Sequence, residues 1–154
     1  MTKVAKAIAQ AVAASDGGIQ AMLDDAAMAV MALNGGSAVP LWNTWLDGMQ
    51  EEAPEGSEID VAGLKTIFAK ALEELDDMSG AKVGDKTMMD ALIPAVEAMQ
   101  AVETDDVKAV MEAGAQAALQ GAESTKDMKA NFGRARNYGE RSIGYADSGA
   151  SSWS

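Results

Sequence analysis

The chain has 154 residues, a formal net charge of −12, and neither cysteine nor histidine. Disulfides, thiolate chemistry and imidazole catalysis are thereby excluded, and the acidic field disfavours nucleic acid and anionic lipid as partners. Aromatic residues supply only 5%, and an apolar complement weighted towards alanine and methionine favours helices over sheets.

Val4, Ile8 and Val12 recur four apart in a first helical segment. The same stretch, "MTKVAKAIAQAVAAS", faintly resembles a secretion signal, but Lys6 and Gln10 interrupt its apolar part. Ile19, Met22, Leu23, Ala26, Val30 and Leu33 form a second apolar stripe, with Asn34-Gly35-Gly36 as its stop. Pro40 opens "PLWNTWLDGM" at a first-turn position, where a missing amide is harmless. After the polar break "QEEAPEGSE", Asp60 is placed to cap a helix with Val61, Leu64, Phe68, Leu72 and Leu75 on one face.

Asp85 is positioned to cap the next helix, with Met89, Leu92, Val96 and Met99 inward and Pro94 kinking it. Thr104, Asp105 and Asp106 begin a long helix through about Gln120. No segment alternates with period two and no apolar run reaches the length of a membrane span, so the expectation is a single all-α domain over residues 1–154. The eleven methionines read as flexible core filler. The pairs Asp24-Asp25, Asp76-Asp77 and Asp105-Asp106 read as caps and solvated faces rather than metal ligands, because adjacent helical residues diverge around the axis.

Three glycine-bearing loops stand out: residues 34–42, 80–94 and 131–152. Gly35 and Gly36 either end a helix or let successive amides curl around a phosphate, with Ser37 adding a hydroxyl. Gly84-Asp85-Lys86-Thr87 is either ordinary capping chemistry or an anion site at a helix start. The third loop holds all three arginines (Arg134, Arg136, Arg141) and both tyrosines (Tyr138, Tyr145), against only Glu140 and Asp147 as acids. Arg134 has the chemistry to clamp a phosphate or stack on a base.

Taken together and in order, "GDKTMMDALIPAVEAM" and "GRARNYGERSIGYADSGASS" resemble the nucleotide-binding L subunit of dihydroxyacetone kinases, and the equivalent C-terminal domain of the single-chain kinases. Gly84, Asp85, Lys86, Thr87, Met88, Asp90 and Pro94 match the first family motif. Gly133, Arg134, Ala135, Gly139, Glu140, Arg141, Ser142, Gly144, Asp147, Gly149, Ala150 and Ser152 match the second. Gly35, Gly36, Ser37, Pro40, Leu41 and Trp42 match the family's G-G-[AS]-S-G-P-L-aromatic loop. The resemblance covers nearly the whole chain.

It implies an up-and-down barrel or bundle of amphipathic helices, with ADP or ATP bound in the loops at one end and Mg2+ bridging the phosphates to aspartates. A phosphoryl group would pass to dihydroxyacetone held on a histidine of a separate K-type subunit. A phosphotransferase-system protein recharges the nucleotide in one branch of the family, and ATP exchanges in the other. The resemblance further implies a cytoplasmic enzyme component with no nucleic-acid or membrane partner. Gly35, Gly36 and Ser37 would cradle phosphate, and Gly84, Thr87 and Met88 would line the pocket. Arg134 would contact the nucleotide, and Asp147, Ser148 and Gly149 would close over it. Glu140 and Arg141 belong either to that wall or to a structural ion pair.

Departures from the family pattern qualify these expectations. The family's metal motif, G-D-x-D-H-G, and one helix precede the first segment seen here, and a further helix follows the serine-rich end, so no aspartate in these 154 residues matches a magnesium ligand. Ala38 and Val39 replace a serine and a glycine in the first loop, and Tyr145 stands where a histidine is frequent. Two readings follow: the nucleotide-handling part of a kinase, inactive by itself, or a non-catalytic relative that binds a nucleotide or a partner. Apolar stripes left without the family's outer helices carry the further expectation of self-association.

Overall fold

A computed structural model describes residues 2–36 and 38–154. Seven α-helices account for most of them, and no strand occurs among the described residues: α1 (Thr2–Ala14), α2 (Ile19–Met31), α3 (Ala38–Glu51), α4 (Val61–Ser79), α5 (Met89–Ala101), α6 (Val107–Ser124) and α7 (Ser148–Trp153). The all-α class expected from periodicity is the class observed. Among the described residues no helix is long and apolar enough to cross a membrane. The helices fall into two compact units that part between Ser79 and Gly80.

In the first unit α1 packs on α2, α2 on α3 and α3 on α4. Leu23, Ala26, Ala27 and Val30 of α2 are buried, as are Trp45 and Leu46 of α3. A Cβ at Gly48 would lie 2.8 Å from the Ala71 Cα, so α3 and α4 meet backbone to backbone. The buried face of α4 is Val61, Leu64, Ile67, Ala71 and Leu75. The stripe therefore runs through Ile67 and Ala71, and Phe68 and Leu72 stand at its half-buried edge, where Phe68 meets Trp45 edge to face at 5.9 Å. Lys70 joins Glu74 at 2.6 Å and Glu51, at the end of α3, at 3.3 Å. Its hydrogen bonds to the carboxylates of Glu74 and then Glu51 hold its ammonium pKa above the ordinary lysine range.

Two local expectations hold and one moves. Asp60 Oδ1 accepts from the Gly63 amide at 2.7 Å, and Pro40 lies in the first turn of α3. The stop of α2 comes before the glycines: the helix ends at Met31, and Ala32 remains right-handed, its amide donating to the Met28 and Val30 carbonyls. Neither Gly35 nor Gly36 has a positive φ, and a plain turn through Leu33 ends the helix instead of the expected Asn34-Gly35-Gly36 stop.

In the second unit α5 packs along α6, and α7 rests on both. Their seam is made of small residues: Ala91, Ala95, Ala118, Ala122 and Ala150 form one buried cluster. The inward set on α5 is as expected, with Met89, Leu92, Val96 and Met99 all buried. Gly121 is what lets the two helices close. A Cβ there would sit 1.9 Å from the Asp90 carbonyl oxygen and 3.2 Å from the Ala91 Cα. Asp90 is also the residue to which Pro94, lacking an N–H, cannot donate within the helix. Further on, α6 runs to Ser124, one turn beyond the expected end near Gln120. Its start is capped by Asp106, which accepts from the Lys108 amide at 2.9 Å.

The methionines divide where the sequence suggested a common role. Met88, Met89 and Met99 are buried, but Met28, Met31, Met78 and Met111 are 42–57% exposed. Met28 and Met31 lie off the buried stripe of α2, which runs through Leu23, Ala26, Ala27 and Val30, so position on the helix overrides side-chain type.

Candidate functional site

The second unit collects two of the three loops. Residues 84–88 form a tight hook ahead of α5. Gly84 takes a φ of +100° and Lys86 of +60°, a left-handed conformation that costs an L-residue about 1–2 kcal/mol. The hook is closed from inside by Asp90, which is 1% exposed. Its Oδ1 accepts from the Gly84 amide at 2.6 Å and its Oδ2 from the Thr87 amide at 2.7 Å. The Thr87 hydroxyl in turn accepts from the Met89 amide at 3.1 Å. Thr87 and Asp90 thus cap the first turn of α5 in a variant of the capping box, the carboxylate taking the Thr87 amide and the hydroxyl the Met89 amide.

This corrects two expectations. Asp85 does not cap α5. It points the other way, accepting from the Lys82 amide at 2.8 Å and from the Asn131 side-chain amide at 2.8 Å. The first of these contacts, then the second, holds its carboxyl pKa below the ordinary 3.8. Nor do the amides of Gly84 and Thr87 stand open to an external anion, because the Asp90 carboxylate already fills the nest they make. Any contribution of these two residues to a ligand comes through shape and, for Thr87, side-chain surface.

Lys86 reaches inward and is 3% exposed. Its ammonium donates to the Thr125 carbonyl at 2.5 Å and to the Tyr145 carbonyl at 2.6 Å, and it forms no ion pair among the described residues. Thr125, fully buried, donates to the Ala122 carbonyl at 2.6 Å and accepts from the Asp147 amide at 2.8 Å. The Gly144 amide adds a bond to the Lys126 carbonyl at 2.7 Å. Asp147 caps α7 through the Ala150 amide at 2.8 Å. By these steps the hook and residues 144–149 become neighbours. A Cβ on Gly149 would lie 3.3 Å from the Met88 nitrogen, a contact only glycine makes without a shift. The structure thus brings Gly84, Thr87 and Met88 together with Asp147, Ser148 and Gly149.

Between them runs the basic segment. It folds as 3-10 turns over Arg134–Ser142, broken at Gly139, whose φ of +56° and ψ of −129° no helix accommodates. The segment is anchored at both ends: the Asn131 amide donates to the Asp85 carbonyl at 3.1 Å, and the Ser142 hydroxyl accepts from the Ala130 amide at 3.0 Å while donating to the Gly139 carbonyl at 2.6 Å. Arg134, Arg136 and Arg141 project from this frame as exposed side chains. No ion pair joins Arg141 to Glu140 among the described residues. The arginines are therefore held on an ordered backbone with their guanidinium groups uncommitted, which suits recognition of phosphate or of a flat base.

The first loop belongs to the other unit. Gly35 and Gly36 are exposed, and Ser37 lies outside the described residues. A Cβ on Gly35 would meet the Val39 Cγ2 at 2.4 Å, so the valine that replaces a family glycine packs directly over this glycine backbone. A cavity of about 480 Å³ in the same unit is lined by Glu52, Glu58 and Asp60 with Pro54, Ile59 and Gly63, an acidic mouth unsuited to a phosphate. Among the described residues no group of three or more acidic side chains is placed to hold a metal ion.

Comparison with known proteins agrees with the motifs. The DAK2 domain family matches residues 1–154. The chain is 38% identical over 126 residues to the ADP-binding subunit of PEP-dependent dihydroxyacetone kinase 1 from Listeria innocua, covering 81% of this chain and 58% of that one. It is 30% identical over 149 residues to the corresponding ADP-binding subunit from Escherichia coli, covering 96% and 71%. It is also 32% identical over 147 residues to a D-erythrulose kinase of Mycolicibacterium smegmatis, covering 94% of this chain and 25% of that enzyme. The chain spans about three fifths of the length of the two Listeria innocua subunits it matches, 58% and 63%.

Proposed function

Because the chain belongs to the DAK2 domain family, we propose that it is the nucleotide-binding component of a phosphoryl transfer to dihydroxyacetone or a similar small ketose. The observation that carries this reading is the meeting of the two motif-bearing stretches at Met88 and Gly149, beside an ordered segment of uncommitted arginines. Phosphoryl transfer depends mainly on positioning and charge neutralisation, and these are what such a wall supplies. Met88 and Gly149 offer close-approach surface for an adenine nucleotide, and Arg134 offers a cation for its phosphates or a plane for its base. Asp147 and Ser148 hold the start of α7 over the same place. Gly35, Gly36 and Ser37 are assigned to phosphate by motif. No step is routed through a metal.

Two of the named relatives, those from Listeria innocua and Escherichia coli, are ADP-binding subunits of PEP-dependent dihydroxyacetone kinases. By that likeness, the partner of this chain is a K-type subunit carrying the ketose, and its phosphoryl source is a phosphotransferase-system protein acting on resident ADP. The test is ADP binding by titration calorimetry, with and without magnesium, on the parent chain and on Arg134→Ala. Binding weakened about tenfold or more by the substitution is expected, the loss of one charge-assisted phosphate contact. A folded chain that binds no ADP under either condition refutes the reading.

A further inference from the structure

Lys86 is unusual in three respects that its motif position does not explain. Its ammonium is buried, its backbone is left-handed, and its two hydrogen-bond acceptors are carbonyls of Thr125 and Tyr145, 39 and 59 residues further along the chain. Burial disfavours a lysine, and so does a positive φ. An ammonium has three donors, and here two of them join the hook at 84–88 to two separate segments. Among the described residues, Lys86 Nζ to the Tyr145 carbonyl is the one hydrogen bond between residues 84–88 and residues 144–149.

We infer that Lys86 is a positioning residue for the nucleotide site: it sets the separation of Met88 and Gly149 by holding the backbone at Tyr145 against the hook. The inference rests on the nucleotide reading above. Apart from the bonds by which Asp147 starts α7, the other ties on residues 144–147 run to the two residues that follow α6, through the Gly144 amide to Lys126 and the Asp147 amide to Thr125. Those ties fix the segment to the helix but leave its distance from Met88 to van der Waals contact. The lysine closes the triangle by gripping Thr125 and Tyr145 at once. A charged donor suits the role, because its bonds to carbonyls are stronger than neutral ones, and a shorter side chain cannot span both acceptors.

The chain has no cysteine, so Lys86→Cys introduces a single thiol that can be alkylated in the unfolded state before refolding. Aminoethylation rebuilds an ammonium at the original length, and propylation leaves a methyl group in its place. ADP affinity and amide hydrogen exchange at Gly144 and Asp147 are measured on both forms, with exchange at Val96 and Val110 as the core reference. The propylated protein is expected to bind ADP about tenfold more weakly and to exchange those two loop amides about tenfold faster, with the core amides unchanged. Aminoethylation should restore both. Lys86→Gln, whose stem is one atom shorter, is the milder variant and should fall between. Parent-like ADP affinity in the propylated or Gln forms overturns the inference. If the parent itself binds no ADP, the nucleotide reading fails, and the exchange rates alone still decide: unchanged exchange at Gly144 and Asp147 then overturns the positioning role as well.

Discussion

Replacing Gly121 by alanine puts the α5–α6 seam to a sharp test, because the same substitution at Gly114 of the same helix supplies its control. At Gly121 the new methyl would lie 1.9 Å from the Asp90 carbonyl oxygen and 2.9 Å from its carbon. Both are main-chain atoms, so no rotamer change relieves the clash. The helices must separate by about 1.1 Å before that contact reaches even 3.0 Å. At Gly114 the obstructing atoms are the Met99 Cγ and Sδ at 2.7 and 2.9 Å, side-chain atoms that bond rotation within a flexible methionine can shift. Each variant gains about 1 kcal/mol of helix propensity. Overpacking against rigid backbone costs roughly 1–3 kcal/mol or more, and against a movable methionine much less. Gly121→Ala should therefore be about 2 kcal/mol less stable than Gly114→Ala. Followed by circular dichroism, that is a urea midpoint lower by about 1 M at a typical slope of 1–3 kcal/mol per molar. Because the moved carbonyl belongs to Asp90, the hook at 84–87 should loosen too, seen as faster amide exchange at Gly84 and Thr87. Equal midpoints for the two variants would refute the claim that backbone contact, rather than general smallness, is what Gly121 provides.

Asp90→Asn exchanges a carboxylate that accepts two amide hydrogens for an amide whose NH2 faces one of those donors. A loss of about 2–4 kcal/mol is expected by urea unfolding, since each charge-assisted bond contributes roughly 1.5–3 kcal/mol. Thr125→Val keeps the shape but strands the Asp147 amide, while the Ala122 carbonyl keeps its bond from the residue-125 backbone amide; it should cost about 1–3 kcal/mol and free the start of α7 to exchange. Asp85, with its folded pKa below 3.8, stabilises the fold fully above that value and loses the effect as pH falls through the lower folded value. The melting temperature of Asp85→Asn should accordingly lie below the parent's at pH 7 and converge with it in strong acid. Asp47 is the opposite case: burial first, then Asp24 and Glu51, raise its pKa, so its charge opposes folding at neutral pH. Asp47→Asn should melt higher at pH 7, an advantage that disappears as pH drops below 3.8.

Much of the molecule was legible in the sequence. The inward face of α5 followed from spacing alone, and Asp60 and Asp106 capped the helices that their positions promised. The family motifs marked the loops that the second unit then places side by side. The capping box of Thr87 and Asp90 was also written in the sequence as T-x-x-D, but Asp85 competed for the same role and only the direction of its side chain decides between them. On α4 spacing put Phe68 and Leu72 on the inward face, and packing against α3 at Gly48 and Ala71 puts Ile67 and Ala71 there instead.

The sequence by itself determined the helices, their caps and the identity of the glycine and arginine loops, because those features depend on residue type and spacing within one short segment. Tertiary structure decided what Lys86 and Gly121 do. Lys86 reads in sequence as one member of a capping or anion-site stretch, and Gly121 falls just past the helix end expected near Gln120. Their partners are the carbonyls of Thr125, Tyr145 and Asp90, groups that every residue carries and that therefore leave no mark in a sequence.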